Sequence, residues 1–453
     1  MMPFLIIAAL FYGYLLVVKP QVIAMLFFTI TIADINFEMG GLPLNVRAII
    51  GLTLFFRTVI AVRSENEPGF FKTLEVWLII LLTLYAVLIT AFYELLTIEF
   101  VKQSALTLIA VYCGFRYYWR EGNMRLLKLS LIISGFICFA DLVFTYGMYG
   151  SFPVQRIYLY LLGIPSEVDE EGKFVEVINH NFYGLICGMC FVLIINEFLN
   201  LKKTNLWLLL LLPVMFLGVL MSTSRSTLLG LIVASAFLIF RELKRGEKAK
   251  RAYMLITMAA GIIFLCLLVF TTMQSFFNLS NEFLDGITMR LIDEPIAVFN
   301  KYLGLNYNAQ SLDAMDWRKE AASDAFNAWL NLSFREQLFG IGFWGFVDRD
   351  LGHTKLPPHN GILFLLFDTG LLGLCIYITL IVRIARTSLR LSSNIPPLVT
   401  TLLFVLFYCI GQNGELTSSI TFLFIITLIA ENEHKKILQS RQHLQEPEIQ
   451  LTA

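Results

Sequence analysis

Apolar runs of the length of a membrane helix recur along the whole chain. A bilayer core about 30 Å thick requires about 20 apolar residues per helix, and runs of that order are bounded here by charged residues or by Gly and Pro. The pattern predicts an all-α, polytopic integral membrane protein with about 12–13 transmembrane helices. The first two runs are short, and one re-entrant hairpin is the alternative for them. The predicted spans are 3–18, 21–35, 41–61, 73–93, 100–118, 128–148, 180–200, 205–223, 226–241, 252–273, 360–382, 396–413 and 417–431.

Lys and Arg residues in the short loops orient this bundle, because cytoplasmic loops are enriched in both. Residues 241–251 hold six of them and are therefore predicted to be cytoplasmic. Alternation then places the basic residues of 116–128 and those of the C-terminal tail on the same side. Two segments, 149–179 and 274–358, are predicted to face outward.

The chain divides accordingly into four predicted regions. They are an N-terminal transmembrane bundle (1–273, with the outward loop 149–179), a long periplasmic loop (274–358), C-terminal transmembrane helices (359–432) and a cytoplasmic tail (433–453). The long loop holds seven basic and eleven acidic residues, a net charge of 7 − 11 = −4. A loop this long is uncommon unless it has a function.

Part of the long loop is predicted to be an amphipathic helix. Trp317, Ala321, Ala325 and Trp329 recur every four residues, which is the spacing of one helical face. We predict that this helix lies over the mouth of the bundle and ends at Gly340, since glycine commonly terminates helices.

Composition supports the membrane assignment and removes several classes of function. The chain is 57% hydrophobic and 15% charged, with a mean hydropathy of +0.72. Its 34 basic and 34 acidic residues give no net charge, which argues against a nucleic-acid partner. All seven cysteines lie in apolar runs, where small buried side chains are expected instead of disulfides or zinc ligands. No cofactor and no metal is expected.

Arg225 is the first candidate for chemistry. It lies between two apolar runs in the sequence STSRST (residues 222–227), and an arginine that persists at membrane depth usually faces a wet cavity. One interpretation is a guanidinium fork that binds a phosphate, with nearby hydroxyls and a helix N-terminus as further donors. The alternative is an arginine that anchors a helix corner at the interface. Charged residues inside other apolar runs, Arg57, Glu75, Asp141 and Glu197, are explained equally well by structural pairing or snorkelling.

His359 is the second candidate. It follows Pro357-Pro358 and precedes Asn360 at the start of an apolar helix, so it lies at the boundary between water and membrane on a rigid approach. Histidine can exchange a proton near neutral pH, which a general base requires. An interfacial helix cap is the alternative.

Two further motifs are discounted. Residues 340–345 spell G-x-G-x-x-G, but they lie in an outward loop without the strand and helix of a nucleotide-binding unit. Residues 348–350 spell D-x-D, and two carboxylates alone rarely form a metal site. A solvated loop is the preferred interpretation.

Together these motifs resemble the O-antigen ligase and polymerase superfamily of bacterial envelope glycosyltransferases. Residues 359–373 carry its H-N-x9-G pattern, and residues 222–230 resemble its helix-junction motif with serine and arginine. The stretch from Trp317-Arg318 to residue 346 resembles its arginine, amphipathic helix and glycine turn, and residues 179–184 resemble its helix start with asparagine. The resemblance covers roughly residues 150–375.

The resemblance implies an inverting, metal-independent transfer of a glycan from undecaprenyl pyrophosphate to a sugar hydroxyl at the periplasmic face of the bacterial inner membrane. His359 would be the catalytic base. Five residues would bind the substrates, namely Arg225, Arg318, Asn360, Asn181 and Arg156. For Arg156 the acidic residues that follow it depart from the family pattern. The implied partners are a lipid-linked glycan donor, a glycan or lipid A core acceptor, the bilayer and a chain-length regulator.

The motifs do not separate a polymerase from a ligase, and we favour the polymerase. A lipid-linked glycan flippase or transporter is the alternative from another class, since it would also be a helical bundle with a polar core. That class is expected to show inverted repeats and charged residues at the midplane. No such repeat is evident in the sequence. A non-enzymatic envelope assembly protein is the third alternative, and it would not require His359 or Arg225.

Overall fold

The structure is a computed structural model, and the described residues are 13–15, 17–35, 46–61, 69–121, 125–149, 180–200, 206–244, 289, 293–305, 313–351, 358, 360–391, 397–411 and 415–450. Within these ranges the chain forms helices, turns and bends and contains no strand. The prediction of an all-α membrane protein is therefore confirmed.

The α-helices are numbered here in chain order. They are α1 (Pro20–Ile32), α2 (Val46–Ile60), α3 (Leu74–Phe92), α4 (Ile98–Glu121), α5 (Arg125–Tyr149), α6 (His180–Asn200), α7 (Leu206–Met221), α8 (Arg225–Lys244), α9 (Glu294–Tyr302), α10 (Asp313–Leu330), α11 (Phe334–Phe339), α12 (Gly345–Asp348), α13 (Gly361–Leu391), α14 (Pro397–Cys409) and α15 (Ser419–Gln450).

Most of the predicted spans coincide with helices. Among the described residues, α3, α4, α5 and α13 contain stretches long and apolar enough to cross a membrane, and five shorter apolar helices accompany them. Predicted span 252–273 lies outside the described residues, and 3–18 does so for the most part. Each of the other eleven predicted spans matches one described helix.

The helices pack into one bundle around a large apolar core. α6 packs against α7 and α14, α8 against α14, α4 against α15, and α3 against α13. The core is built mostly from Leu, Ile, Val and Phe side chains that are almost completely buried.

Charged groups within the bundle are paired, as one interpretation of the sequence predicted. Arg383 Nε lies 3.0 Å from Glu75 Oε1, and Lys128 Nζ lies 2.6 Å from Glu197 Oε1. Arg57 donates to the carbonyl oxygens of Leu15 and Val18. The hydroxyl of Tyr183 donates to Asp141. These contacts confirm structural pairing for the four charged residues.

The described part of the long loop lies at one end of the bundle, where Glu294 contacts Arg225 and Phe343 contacts Thr90; we call this side the loop end. This side also holds the start of α6, the α7–α8 turn, the start of α13 and the start of α15. Within the loop, Ala321, Ala325 and Trp329 of α10 are buried, so the predicted apolar face is confirmed. Ala325 and Trp329 form a second core with Phe346 and with Leu366 and Phe367 of α13.

The prediction that this helix ends at Gly340 is wrong. α10 ends at Leu330, and a separate short helix, α11, ends before Gly340. Ser333 caps α11, because its hydroxyl accepts the amide of Glu336 while the Glu336 carboxylate accepts the amide of Ser333. This reciprocal capping box starts a new helix and so breaks the predicted one.

Candidate active site at the loop end

The turn between α7 and α8 is a compact polar segment, which we call the hydroxyl turn (residues 222–227). Its five hydroxyl residues are all buried. Ser222 Oγ donates to the Val219 carbonyl at 2.7 Å, and Ser224 Oγ accepts the Thr227 amide at 3.3 Å. Thr223 adopts a left-handed backbone conformation with φ of 48°. Ser222 and Ser224 therefore already form hydrogen bonds that shape the turn and cap α8.

Helix α6 approaches the hydroxyl turn at a glycine. A methyl group on Gly184 would lie 2.5 Å from Ser222 Oγ and 2.6 Å from Thr227 Oγ1, which is closer than atoms can pack. Asn181, one turn earlier on α6, is buried. The fold thus brings together two sequence motifs, residues 179–184 and the hydroxyl turn, because glycine allows the two backbones to approach.

Arg225 forms an ion pair that the sequence did not predict. Its guanidinium contacts the carboxylate of Glu294, the first residue of α9. The two side chains are 16% and 6% exposed. A buried charge needs a partner, and here a carboxylate from the long loop neutralises the arginine.

The start of α13 is fixed by Asn360. Its side-chain oxygen accepts the amides of Ile362 at 3.0 Å and Leu363 at 3.1 Å, so Asn360 is the N-cap of α13. Pro358 is buried. His359, between these two residues, lies outside the described residues. Arg156 does so as well. Arg318 lies on α10, where the described structure covers its backbone alone.

A glycine turn attaches the long loop to α13. Gly340 and Gly342 have φ of 84° and 88°, and Gly370, at a kink within α13, has φ of 65°. The amides of Ile341 and Gly342 donate to the carbonyls of Phe367 and Asp368. Any Cβ on Gly370 would lie 2.4 Å from the Leu338 carbonyl oxygen. Glycine is therefore needed in both segments for their backbones to approach this closely.

The glycine turn also contacts α3. The Phe343 amide donates to Thr90 Oγ1 at 2.9 Å, and the Tyr85 hydroxyl donates to the Phe339 carbonyl at 2.8 Å. The loop is thus held between α3 and α13 by hydrogen bonds that its amides donate and a hydrogen bond that one of its carbonyls accepts.

Beside this turn lies a cavity of about 910 Å³. Its walls come from the ends of α1 and α3, the starts of α2, α4, α6, α13 and α15, and the segment after the glycine turn. Arg47, which is 3% exposed, lies in the wall. It donates to Asp34 Oδ1 at 2.9 Å and to Gln103 Oε1. A volume of this size is near the upper end of the range for small-molecule sites, about 300–1,000 Å³.

The D-x-D segment adjoins the same cavity. Asp348 lines it, while Arg349 pairs with Glu336 at 2.6 Å and lies over the Tyr93 ring. The hydrogen bonds from Arg349 and Ser333 hold the pKa of Glu336 below its ordinary value. In the ranges that the structure describes, no group of three or more His, Cys, Asp or Glu side chains is arranged to hold a metal ion.

These features define an all-helical membrane protein with a polar centre at one end of its bundle. Residues 184–378 match the model of a family described as O-antigen ligase. The match confirms, over these residues, the resemblance to the O-antigen ligase and polymerase superfamily found in the sequence. The match includes the hydroxyl turn, Glu294, the glycine turn and the first part of α13. No curated protein and no solved structure matches the chain.

Sequence reasoning missed Glu294 and the cavity with Arg47. Glu294 stands before Pro295 in the long loop, and a Glu-Pro pair indicates only a helix start. Arg47 lies just inside an apolar run, like Arg57, and no periodicity distinguishes the two. The capping box at Ser333 and Glu336 could have been predicted from the sequence, since serine followed three residues later by glutamate indicates a helix start.

Proposed function

We propose that this protein transfers a glycan from undecaprenyl pyrophosphate to a sugar hydroxyl at the periplasmic face of the bacterial inner membrane. Glycan transfer of the O-antigen ligase type follows from the family at a coarse level. The donor, the membrane face and the acceptor are parts of the proposal. We further propose that the acceptor is a second lipid-linked glycan, which makes the protein a polymerase.

One observation carries the proposal. The hydroxyl turn with Arg225, the N-cap that follows His359 directly in sequence, and the large cavity all lie at the loop end of the bundle. A glycosyl transfer needs a cationic group for the leaving pyrophosphate, a base for the acceptor hydroxyl and space for the sugars. The described geometry supports the cation and the space for the sugars at one end of the bundle, and the base is inferred from the sequence alone, where His359 precedes the N-cap Asn360.

In the proposed reaction the acceptor oxygen attacks the anomeric carbon of the donor sugar. The bond between that carbon and the pyrophosphate oxygen breaks, and undecaprenyl pyrophosphate departs with the bonding electron pair. The imidazole of His359 takes the proton of the acceptor hydroxyl. Inversion at the anomeric carbon follows from a single displacement. The linkage between the sugar and the pyrophosphate supplies the driving energy, so no nucleotide is consumed.

Arg225 and Arg318 bind the departing pyrophosphate in this proposal. A guanidinium offers paired donors that match phosphate oxygens, which an ammonium group does not. Glu294 contacts the Arg225 guanidinium and restricts its orientation. An arginine oriented in advance stabilises the charge of the leaving group without reorganising during the reaction. Asn181 and Arg156 are proposed as further substrate contacts, and Asn360 as the residue that orients the helix start.

The experiment is turnover by purified protein in lipid nanodiscs. An undecaprenyl-pyrophosphate oligosaccharide serves as donor, and either a second molecule of it or lipid A core serves as acceptor. A polymerase lengthens the glycan on undecaprenol, whereas a ligase produces glycosylated lipid A core. No new glycosidic bond, combined with movement of the lipid-linked glycan across sealed vesicles, would support a flippase instead.

His359→Ala tests the base. We expect turnover to fall by about 10²- to 10⁴-fold, because a positioned base contributes that much. Turnover by the unaltered protein should also decline as the pH is lowered through about 6 to 7, where an ordinary histidine gains a proton. His353→Ala, in the same loop, is the matched control and should retain activity. Unchanged turnover of His359→Ala, or activity that chelator removes and a divalent ion restores, would exclude this mechanism.

A further inference from the structure

One face of α3 is apolar and exposed. Its residues recur at intervals of three or four, which places them on one side of a helix. α3 is long and apolar enough to cross a membrane, so this face meets lipid. We call this face the lipid stripe, and its residues are Trp77, Leu81, Leu84, Leu88 and Phe92.

The level of Phe92 in the membrane follows from the length of α3, whose last residue it is. The helix has 19 residues, which corresponds to about 28 Å at 1.5 Å per residue. A hydrocarbon core is about 30 Å thick, so a helix of this length spans it almost fully. Phe92 therefore lies near the boundary between the hydrocarbon and the headgroups at the loop end.

Helix α11 of the long loop lies against this end of α3. The guanidinium carbon of Arg335 is 4.7 Å from the centre of the Phe92 ring. The hydrogen bond from the Tyr85 hydroxyl to the Phe339 carbonyl joins the other end of α11 to α3. α11 is therefore placed at the level of the headgroups, directly beside the lipid stripe.

The loop surface next to this contact is apolar. Phe334 of α11 is 78% exposed, and Phe326 and Leu330 of α10 are exposed one helical turn apart. Exposed apolar residues that cluster in this way mark contact sites for proteins or membranes. With Phe339, these residues form a surface that we call the apolar rim (Phe326, Leu330, Phe334 and Phe339).

The other end of α10 is polar. Lys319 and Glu320 are exposed there, and Glu320 is about 15 Å from Leu330 along the helix axis. The exposed surface of α10 thus changes from charged to apolar toward its junction with α11. This change is expected of a segment that has one end in water and the other end at a membrane surface.

The backbone between α10 and α11 is suited to a site with little water. The side-chain amide of Gln337 donates to the carbonyls of Leu330 at 2.8 Å and Leu332 at 3.1 Å. The capping box of Ser333 and Glu336 accepts two amides at the start of α11. Polar groups at helix ends cost free energy near lipid unless protein partners satisfy them. Side chains of the loop supply these partners.

Arg335 adds a cation at the same level. Its side chain is exposed beside the apolar rim, and its guanidinium lies over the Phe92 ring. Arginines near the ends of membrane helices extend to the headgroups, where the guanidinium binds phosphate through paired hydrogen bonds. The neighbouring Glu336 carboxylate would repel a phosphate, but Arg349 neutralises it at 2.6 Å.

We propose that the apolar rim and Arg335 form a membrane-contact surface whose partner is the phospholipid of the leaflet at the loop end. The rim side chains enter the boundary of the acyl chains, and the Arg335 guanidinium binds a lipid phosphate. Continuity with the lipid stripe favours lipid, because a protein that covered the rim would also have to displace lipid from Phe92. The buried face of α10 thus holds the loop on the bundle, and the rim holds it on the membrane. This contact is independent of the transfer reaction.

The test is photo-cross-linking in the full chain. Benzoylphenylalanine replaces Phe334 or Leu330 in protein reconstituted into nanodiscs of phosphatidylethanolamine and phosphatidylglycerol. Illumination bonds the probe to a neighbouring C–H group, and mass spectrometry identifies the product. We expect phospholipid adducts at both positions, with yields similar to that of a probe at Leu88 in the lipid stripe. A probe at Glu320, on the polar end of α10, is the matched control and should give a severalfold lower yield.

A second experiment examines the phosphate contact. Native mass spectrometry counts the phospholipids that remain bound after extraction into mild detergent. Arg335→Gln should retain one phospholipid fewer than the unaltered protein. Lys319→Gln, which also removes an exposed cation, is the matched control and should retain the same number as the unaltered protein. Equal retention in the two variants would overturn the assignment of Arg335.

Three results at the rim would overturn the proposal. The first is the absence of phospholipid adducts at both Phe334 and Leu330 in nanodiscs in which the Leu88 probe forms them. The second is an equal yield at Phe334 and Glu320, since the rim would then be no closer to lipid than the polar end of α10. The third is a covalent product with a second protein chain, which would assign the rim to a protein partner.

Discussion

Two arginines lie at the loop end, Arg47 buried and Arg225 partly buried, and their surroundings differ. Arg225 lies in a packed turn of small hydroxyl residues, and Gly184 permits α6 to contact this turn closely. The buried carboxylate of Glu294 forms an ion pair with the guanidinium. Arg47 lies in the wall of a large cavity, and its partner Asp34 has a side chain that is 47% exposed. A packed site constrains one guanidinium to one anion. In the open site the second guanidinium is paired with a carboxylate that water can reach.

The comparison suggests that the two arginines have different roles, with Arg225 proposed to bind the leaving pyrophosphate and Arg47 maintaining the wall of the cavity. The pyrophosphate of the donor requires a fixed cation, whereas a glycan requires many weaker contacts over a wide surface. The following predictions test whether the two sites are indeed separate, beginning with the largest expected effect.

Removal of the two arginines should affect stability unequally. Arg225→Ala leaves the Glu294 carboxylate buried without its partner, which typically lowers the free energy of unfolding by about 3–5 kcal/mol. Arg47→Ala leaves a carboxylate that water can reach, so its loss should be smaller. Unfolding in mixed micelles measures both. The double variant Arg225→Ala/Glu294→Gln should recover part of the loss, and no recovery would mean that the pair is not coupled.

A charge-conserving change should separate the roles in catalysis. Arg225→Lys should lower turnover by about 10²- to 10³-fold, the usual effect of removing one donor to a developing negative charge. Arg47→Lys should leave turnover at saturating acceptor almost unchanged and raise the KM for the acceptor. Both are measured with the synthetic donor at matched protein levels. If Arg225→Lys turned over at the rate of the unaltered protein, Arg225 would be an interfacial anchor.

Disruption of the glycine turn should distort the Arg47 cavity more than the hydroxyl turn, because Phe343 and Trp344 follow the glycine turn and line the cavity. Gly370→Ala places a Cβ against the Leu338 carbonyl at positive φ and should destabilise the protein by about 1–3 kcal/mol. Gly304→Ala is the control, since Gly304 has φ of 70° with no atom near its Cβ position. Equal losses in thermal stability for the two variants would exclude a role for the close contact.

The capping box of α11 should have the smallest effect. Ser333→Ala should cost about 1 kcal/mol, the typical value for an N-cap. The folded state lowers the pKa of Glu336, so its contribution to stability is present above the ordinary value of 4.5 and is lost as the pH falls through the lower, folded value. Glu336→Gln should remove this acid dependence. Thermal unfolding between pH 3 and about 7 measures it, and an identical profile in the variant would contradict the assignment.

The sequence predicted the helices well, because span length is fixed by bilayer thickness and leaves a long apolar run. It also predicted the buried face of α10, since a period of four residues is a local signal. It could not predict the pairing of Arg225 with Glu294, because nothing local relates two residues so far apart in the chain. The cavity was missed for the same reason, as its walls come from separate helices whose relative placement depends on packing.

The contacts of the glycine turn also determine how deep it lies. The ion pair between Arg383 and Glu75 joins α13 to α3 near their cytoplasmic ends in the predicted orientation. Thr90 is about 15 residues from Glu75 on α3, and Asp368 is about 15 residues from Arg383 on α13. At 1.5 Å per helical residue, each separation is about 22 Å. The turn between them is therefore about 22 Å from the ion pair, which is less than the thickness of a hydrocarbon core, about 30 Å. Irregular backbone is tolerated at that level only when protein groups satisfy it, as Phe367, Asp368 and Thr90 do here. In the proposed orientation the loop end is thus recessed into the outer leaflet, where the proposed lipid-linked donor would reach it without its prenyl chain leaving the membrane.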